Sequence, residues 1–211
     1  MKTAIINGSP KAAAGVSTRI IEQMKKLLGE RTETYHAAQL VHTETPQEAT
    51  AGMMEADILL IVFPLYVDSL PSPLIELLTR LESAACHGTA IPSVYAIANA
   101  GFESTQTTPA LEMIEHFACR AKLPWGYGAG IGLGGMLYSV GDNWEKGLAS
   151  GIHNVLRDMA AAIKEKRSGR NVFVEPKFPR FLYRAAANFN FWLRARRNGA
   201  GNLWARPYKT N

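Results

Sequence analysis

Six apolar residues, Ile58-Leu59-Leu60-Ile61-Val62-Phe63, run unbroken between Asp57 and Pro64. A strand with one wet face alternates apolar and polar side chains, whereas a strand covered on both faces has no reason to. Lys2 to Ile6 and Ile91 to Ala98 have the same apolar character, and Thr32–His36 and Trp125–Leu133 complete a set of five strand candidates. Between them, apolar residues recur at helical spacing: Val16, Ile20, Met24, Leu27 and Leu28, then Leu74, Leu77, Leu78 and Leu81. Leu111, Ile114, Phe117 and Ala121 mark a third helix, and Leu148 through Ile163 a fourth. A weaker helix is expected from Pro46 to Met54. Buried strands alternating with amphipathic helices predict an α/β fold, a doubly wound five-stranded parallel sheet. Ligands in such sheets sit beyond the C-terminal ends of the strands.

The hydrophobic fraction of 47% and charged fraction of 19% suit a globular chain with a well-filled core. Cys86 and Cys119 have neither metal-ligand spacing nor a framework of pairs. They are expected to be core thiols in a reduced compartment. No charged-then-apolar leader precedes the first strand, so a cytoplasmic location is expected. Charge is unevenly spread. Residues 1–169 carry 14 Lys/Arg against 17 Asp/Glu, whereas residues 170–211 carry nine Lys/Arg against Glu175 alone. The expected organisation is a core domain of residues 1–169 followed by a basic extension, 170–211.

Three loops at strand ends carry the chemistry. After the first strand, Asn7-Gly8-Ser9-Pro10-Lys11 leads into a helix that begins near Ser17 and Thr18. Hydroxyls at Ser9, Ser17 and Thr18, a cation at Lys11 and the unpaired N–H groups of a helix start suit a phosphate. A Walker loop is excluded, because no Gly-Lys-Ser/Thr follows Gly8 at the required distance. A Rossmann loop is excluded because Gly8 stands without its two companions. The second loop, Pro64-Leu65-Tyr66-Val67, offers an aromatic face on a proline-stiffened turn. The third, Asn99-Ala100-Gly101-Phe102-Glu103, offers donors and acceptors without bulk, from Asn99, Gly101 and the peptides between them. A phosphate site, a stacking face and a polar edge along one crevice fit flavin mononucleotide (FMN).

These three loops in register resemble the flavodoxin-like NAD(P)H-dependent FMN reductase and quinone reductase families, over residues 1–167. Asn7–Lys11 with Ser17 and Thr18 is similar to their phosphate loop. Pro64–Tyr66 with Ser69-Leu70-Pro71 is similar to the loop that cups the isoalloxazine ring, and Asn99–Glu103 to the loop bordering its pyrimidine edge. The resemblance implies FMN as cofactor, NAD(P)H as co-substrate, a small-molecule acceptor such as a quinone or a flavin, and a homodimer. Hydride transfer through the flavin requires no catalytic side chain, and none is assigned. Alternatives in keeping with the same site are a single-electron carrier of flavodoxin type and a flavin-binding redox sensor.

Gly130-Ile131-Gly132-Leu133-Gly134-Gly135 spells G-x-G-x-x-G but lacks the strand-turn-helix setting of a dinucleotide site. The five histidines are scattered, and no metal is expected. In the extension, Phe178, Phe181, Leu182, Ala185, Phe189, Trp192 and Leu193 recur at helical spacing among arginines, predicting an amphipathic helix from about 179 to 197. Two readings stay open for it: docking on protein, or peripheral contact with a membrane surface. No nucleic-acid-binding fold accompanies its charge, so nucleic acid is not expected as a partner.

Overall fold

A computed structural model describes residues 1–11, 15–29, 31–42, 46–86 and 91–199. The elements in order are β1 (Thr3–Asn7), α1 (Val16–Leu28), β2 (Thr32–His36), α2 (Ala37–Leu40), α3 (Pro46–Met54) and β3 (Ile58–Pro64). They continue with α4 (Ser72–Ala85), β4 (Ser93–Asn99), α5 (Thr108–Arg120), β5 (Trp125–Ile131), α6 (Ser150–Lys164), β6 (Val172–Val174) and α7 (Arg180–Arg197). Short 3₁₀ turns occupy Ser104–Thr107, Gly134–Tyr138 and Gly147–Ala149.

The strands form one sheet in the order β2-β1-β3-β4-β5-β6, with every pairing parallel. The sheet has six strands rather than the five expected. The sixth, Val172–Val174, pairs with Ala129–Ile131 at the edge. Three residues between Asn171 and Glu175 are too short for a period to emerge, so pairing with an existing edge creates this strand, not its own sequence pattern. Two compact units divide the chain, Met1–Pro176 and Lys177–Asn211.

The uninterrupted apolar run behaves as its composition requires. Ile58 to Phe63 are all fully buried. Leu59, Ile61 and Phe63 face a cluster built with α3, α4 and α5, including Met53, Leu74, Leu77, Leu111 and Ile114. Ile58, Leu60 and Val62 face the opposite cluster, built with Ile20 and Met24 of α1 and Ile152, Leu156 and Met159 of α6. Full burial of each such side chain is worth about 1.5–3 kcal/mol, so this strand anchors both layers. α1 ends at Gly29, whose φ of 93° favours glycine.

Two expectations fail at the surface. Cys86 and Cys119 are exposed, not core thiols. Cys86 caps the C-terminus of α4, and Cys119 lies on α5 between Ala118 and Arg120, off the face that buries Leu111, Ile114 and Phe117. Leu148 is exposed too, in the turn before α6 rather than on its buried face.

Candidate active site

Parallel register brings the three loops together. Asn7 pairs with Val62, Pro64 with Asn99, and Asn99 with Ile131, so the ends of β1, β3, β4 and β5 are level. After β1 the chain turns into α1 on one face; after β3 it turns into α4 on the other. The crevice between β1 and β3 is therefore the point where the winding reverses, where such sheets bind ligands.

The phosphate-type loop is built on a residue the sequence reading did not single out. Asn7 is fully buried, and its Oδ1 accepts from the Ser9 N–H at 3.0 Å. This is the local turn that a strand-terminal Asn before Gly-Ser-Pro favours, and it was legible in principle. Asn7 Nδ2 lies 3.4 Å from Thr18 Oγ1 and 3.3 Å from His36 Nδ1. The Lys11 N–H donates to Ser9 Oγ at 3.2 Å, while the Lys11 side chain is exposed. Gly8 donates to the Val62 carbonyl at 2.9 Å. A Cβ at Gly8 would meet Leu74 Cδ2 at 2.8 Å and Phe63 Cβ at 2.9 Å, so only glycine lets the loop leave the sheet there. α1 begins with no side-chain cap and no acidic residue in its first turn. Ala12–Ala14, the middle of this loop, lie outside the described residues.

Asn99 binds the three strand ends to each other. Its side chain is almost fully buried, and Nδ2 donates to Ser17 Oγ at 3.0 Å and to the Phe63 carbonyl at 2.9 Å. Its backbone carbonyl accepts from Leu65 N at 2.8 Å. One carboxamide thus joins the start of α1, the end of β3 and the end of β4. Asn99 acts on the crevice by holding it, and Ser17 is oriented through it.

The second loop is a tight hairpin. Tyr66 and Ser69 exchange backbone hydrogen bonds of 3.0 Å in both directions. Val67 and Asp68 between them have φ of 48° and 57°, as a two-residue primed turn requires. Asp tolerates that region; a β-branched Val resists it, and Val67 is 98% exposed. Tyr66 is also exposed, and Pro64 and Leu65 are half-buried.

In the third loop, Ala100 donates to Ile131 O at 2.8 Å and its carbonyl accepts from Gly134 N at 2.9 Å. A Cβ at Gly101 would meet nothing within 4 Å, and Phe102 is exposed. The Glu103 side chain caps the following 3₁₀ turn, accepting from the Gln106 backbone, while Gln106 Oε1 accepts from Glu103 N at 3.2 Å. Glu175, just past β6, accepts from Ser104 N at 3.1 Å and from its hydroxyl at 3.3 Å. The sixth strand therefore ends beside this loop.

The glycine series after β5 serves packing against the third loop. A Cβ at Gly132 would lie 2.6 Å from Ser104 N and 2.7 Å from Phe102 O, both backbone atoms that cannot swing aside. Leu133 and Gly134 then donate to Phe102 O and Ala100 O. The next stretch is clamped by Arg19, which no local pattern marks. Its Nη1 donates to Leu137 O at 2.6 Å and its Nη2 to Val140 O at 2.5 Å, across about 120 residues of chain. A more distant carboxylate, Asp142, lies 3.8 Å away.

A cleft of about 380 Å³ beside Tyr127, Asp158, Arg167 and Gly169 lies toward the N-terminal ends of the strands. That is the wrong end of the sheet for the chemistry of this fold. Among the described residues, no group of three or more His, Cys, Asp or Glu could hold a metal ion.

Fold and crevice define a flavodoxin-like framework. The family described as NADPH-dependent FMN reductase matches residues 1–118, and the chain belongs to that family. Its cofactor class is FMN, with NAD(P)H as electron donor. No curated protein matches the sequence. Among solved structures, the chain is similar to an NADPH-quinone reductase from P. pentosaceus, at 15% identity and a TM-score of 0.53 over 77% of this chain and 96% of that one. It is similar to an NADH:FMN oxidoreductase in its apo form, at 15% identity and 0.58, over 80% and 90%. General stress protein 14 of Treponema denticola, solved in complex with FMN, has 12% identity and 0.52, over 79% and 97%. At such identities the likeness is one of fold.

Proposed function

We propose that this enzyme carries hydride from NAD(P)H through FMN to a small acceptor, a quinone or a flavin. The observation that carries the reading is the tie made by Asn99 between Ser17 and Phe63, which holds three loops around one crevice at the reversal point of the sheet. The donor set fits the cofactor. Residues 7–18 contain Lys11, three hydroxyls and no carboxylate, and they open into an uncapped helix start, where a phosphate dianion is favoured.

In this reading Ser9, Lys11, Ser17 and Thr18 hold the phosphate. Pro64, Leu65, Tyr66 and Val67 line one side of the ring, with Tyr66 supplying an aromatic face. Asn99, Ala100, Gly101, Phe102 and Glu103 border the ring's polar edge, chiefly through backbone, since the side chains of Asn99 and Glu103 are engaged in holding the loop. The chemistry that bound FMN supplies is two-electron exchange with a nicotinamide and then with the acceptor. The protein's part is to orient both and to keep fixed backbone dipoles at the ring edge. The absence of bulk at Gly101 leaves room for a planar co-substrate.

An anaerobic titration of the FMN-loaded protein with NADPH tests this. Bleaching of the visible flavin band straight to the fully reduced form, followed by reoxidation on adding a benzoquinone, is the expected result. A protein that binds FMN but is not reduced by NADPH or NADH would overturn the reaction. A protein that binds no FMN would overturn the site.

A further inference from the structure

α7 is an 18-residue helix with five arginines and no acidic residue. It is roughly 27 Å long at 1.5 Å per residue. Around its axis Phe181, Leu182, Ala185, Phe189, Trp192 and Leu193 occupy one arc, and Arg184, Asn188, Asn190, Arg194 and Arg197 occupy the other, which also carries the exposed Phe191. The aromatic arc is exposed: 71% at Phe181 and 61% at Phe189. Phe189 and Trp192 stack with centroids 5.9 Å apart, forming one apolar plate. Arg196, the cation on the apolar arc, lies with its guanidinium carbon 4.6 Å from the Trp192 ring centroid. The arc thus keeps its aromatic character to its end, with that charge held against a ring face.

We propose that α7 binds an anionic membrane surface, lying in the interface with its aromatic arc among the acyl chains. Three features favour lipid over protein. The charge is of one sign along the whole helix, and residues 200–211 add Arg206 and Lys209 with no acid. An anionic bilayer satisfies cations at any lateral position, whereas a protein groove would need acids matched to each. A second α7 would leave those cations unmatched, since it carries no acid either. Arginine beside tryptophan and phenylalanine is the composition of interfacial helices. Among the described residues no helix is long and apolar enough to cross a membrane, so the helix lies on the bilayer and does not span it.

Co-sedimentation of the full chain with vesicles tests the proposal without flavin or NADPH, so its outcome is separable from that of the proposed reaction. Binding is expected to vesicles of phosphatidylcholine mixed with phosphatidylserine, and to be released by salt. It should fall about five-fold for each arginine removed in R194Q and R197Q. F189A/W192A should abolish it. These variants should keep wild-type turnover with a water-soluble acceptor, which separates lost binding from lost folding. No binding to the anionic vesicles at low salt would overturn the proposal. So would equal binding to phosphatidylcholine alone. Wild-type dimerisation that F189A/W192A breaks, with no vesicle binding, would overturn it too and assign the arc to a second copy.

Discussion

Asn99→Ala tests whether one buried carboxamide holds the crevice together. The substitution removes the donor that reaches Ser17 Oγ at 3.0 Å and Phe63 O at 2.9 Å. Each bond contributes about 1 kcal/mol net, and a stranded buried carbonyl adds a desolvation cost of about 1–3 kcal/mol. The expected loss is about 3–5 kcal/mol of unfolding free energy, read as a lower urea midpoint at unchanged slope. Because Ser17 loses the partner that orients it, FMN affinity measured by flavin fluorescence should also fall, by about ten-fold or more. Asn99→Asp should fare no better, since an ionised carboxylate accepts where this site needs a donor. Ser17→Ala completes a cycle. If the contact matters, the two single effects and the double effect should differ by at least about 0.5 kcal/mol. A midpoint within experimental error of wild type, with additive effects in the cycle, would refute the claim that this side chain ties the loops.

Arg19→Lys should release the loop after β5, because an ammonium cannot span the Leu137 and Val140 carbonyls as the guanidinium fork does. Hydrogen exchange at residues 137–142 should speed up by about ten-fold, with the sheet unchanged; unaltered exchange would refute the clamp. Tyr95→Phe should cost about 1 kcal/mol by removing the hydroxyl that donates to Arg167 O at 2.8 Å, near Ala162 O at 3.2 Å. Burial pushes the Tyr95 phenol above its ordinary value, and burial followed by Asp158 does the same for Tyr127. The neutral phenols are therefore favoured in the fold. Their contribution is complete below the unfolded value of about 10 and is lost as pH rises through the folded values. Thermal melts from about one unit below that value to about one unit above it should show a steeper alkaline loss for wild type than for Tyr95→Phe.

Sequence alone determined the layered core. Ile58–Phe63 lacks alternation because both faces are covered, and the helical repeats around Ile20, Leu77, Ile114 and Leu156 turn most of the stripe they display to the core. Those are local periodicities, and burial of one stripe or one strand suffices to express them. The three loops of the candidate crevice were legible for a related reason: strand ends followed by Gly-Ser-Pro, Pro-Leu-Tyr and Asn-Ala-Gly are turn chemistry written in consecutive residues.

What tertiary structure decided lies in contacts between residues far apart in the chain. Arg19 carries no signal of the loop it clamps nearly 120 residues on. Gly132 reads as part of a dinucleotide motif, yet its cause is the backbone of Phe102 and Ser104 pressed against it. Asn99 and Glu103 lie in a loop marked only by its turn residues, and the assembled sheet decides that their side chains hold that loop. The sixth strand is three residues that become a strand only because β5 offers an edge. Periodicity reports which face of an element is buried; only the assembled sheet determines what that face, and each loop beyond it, is buried against.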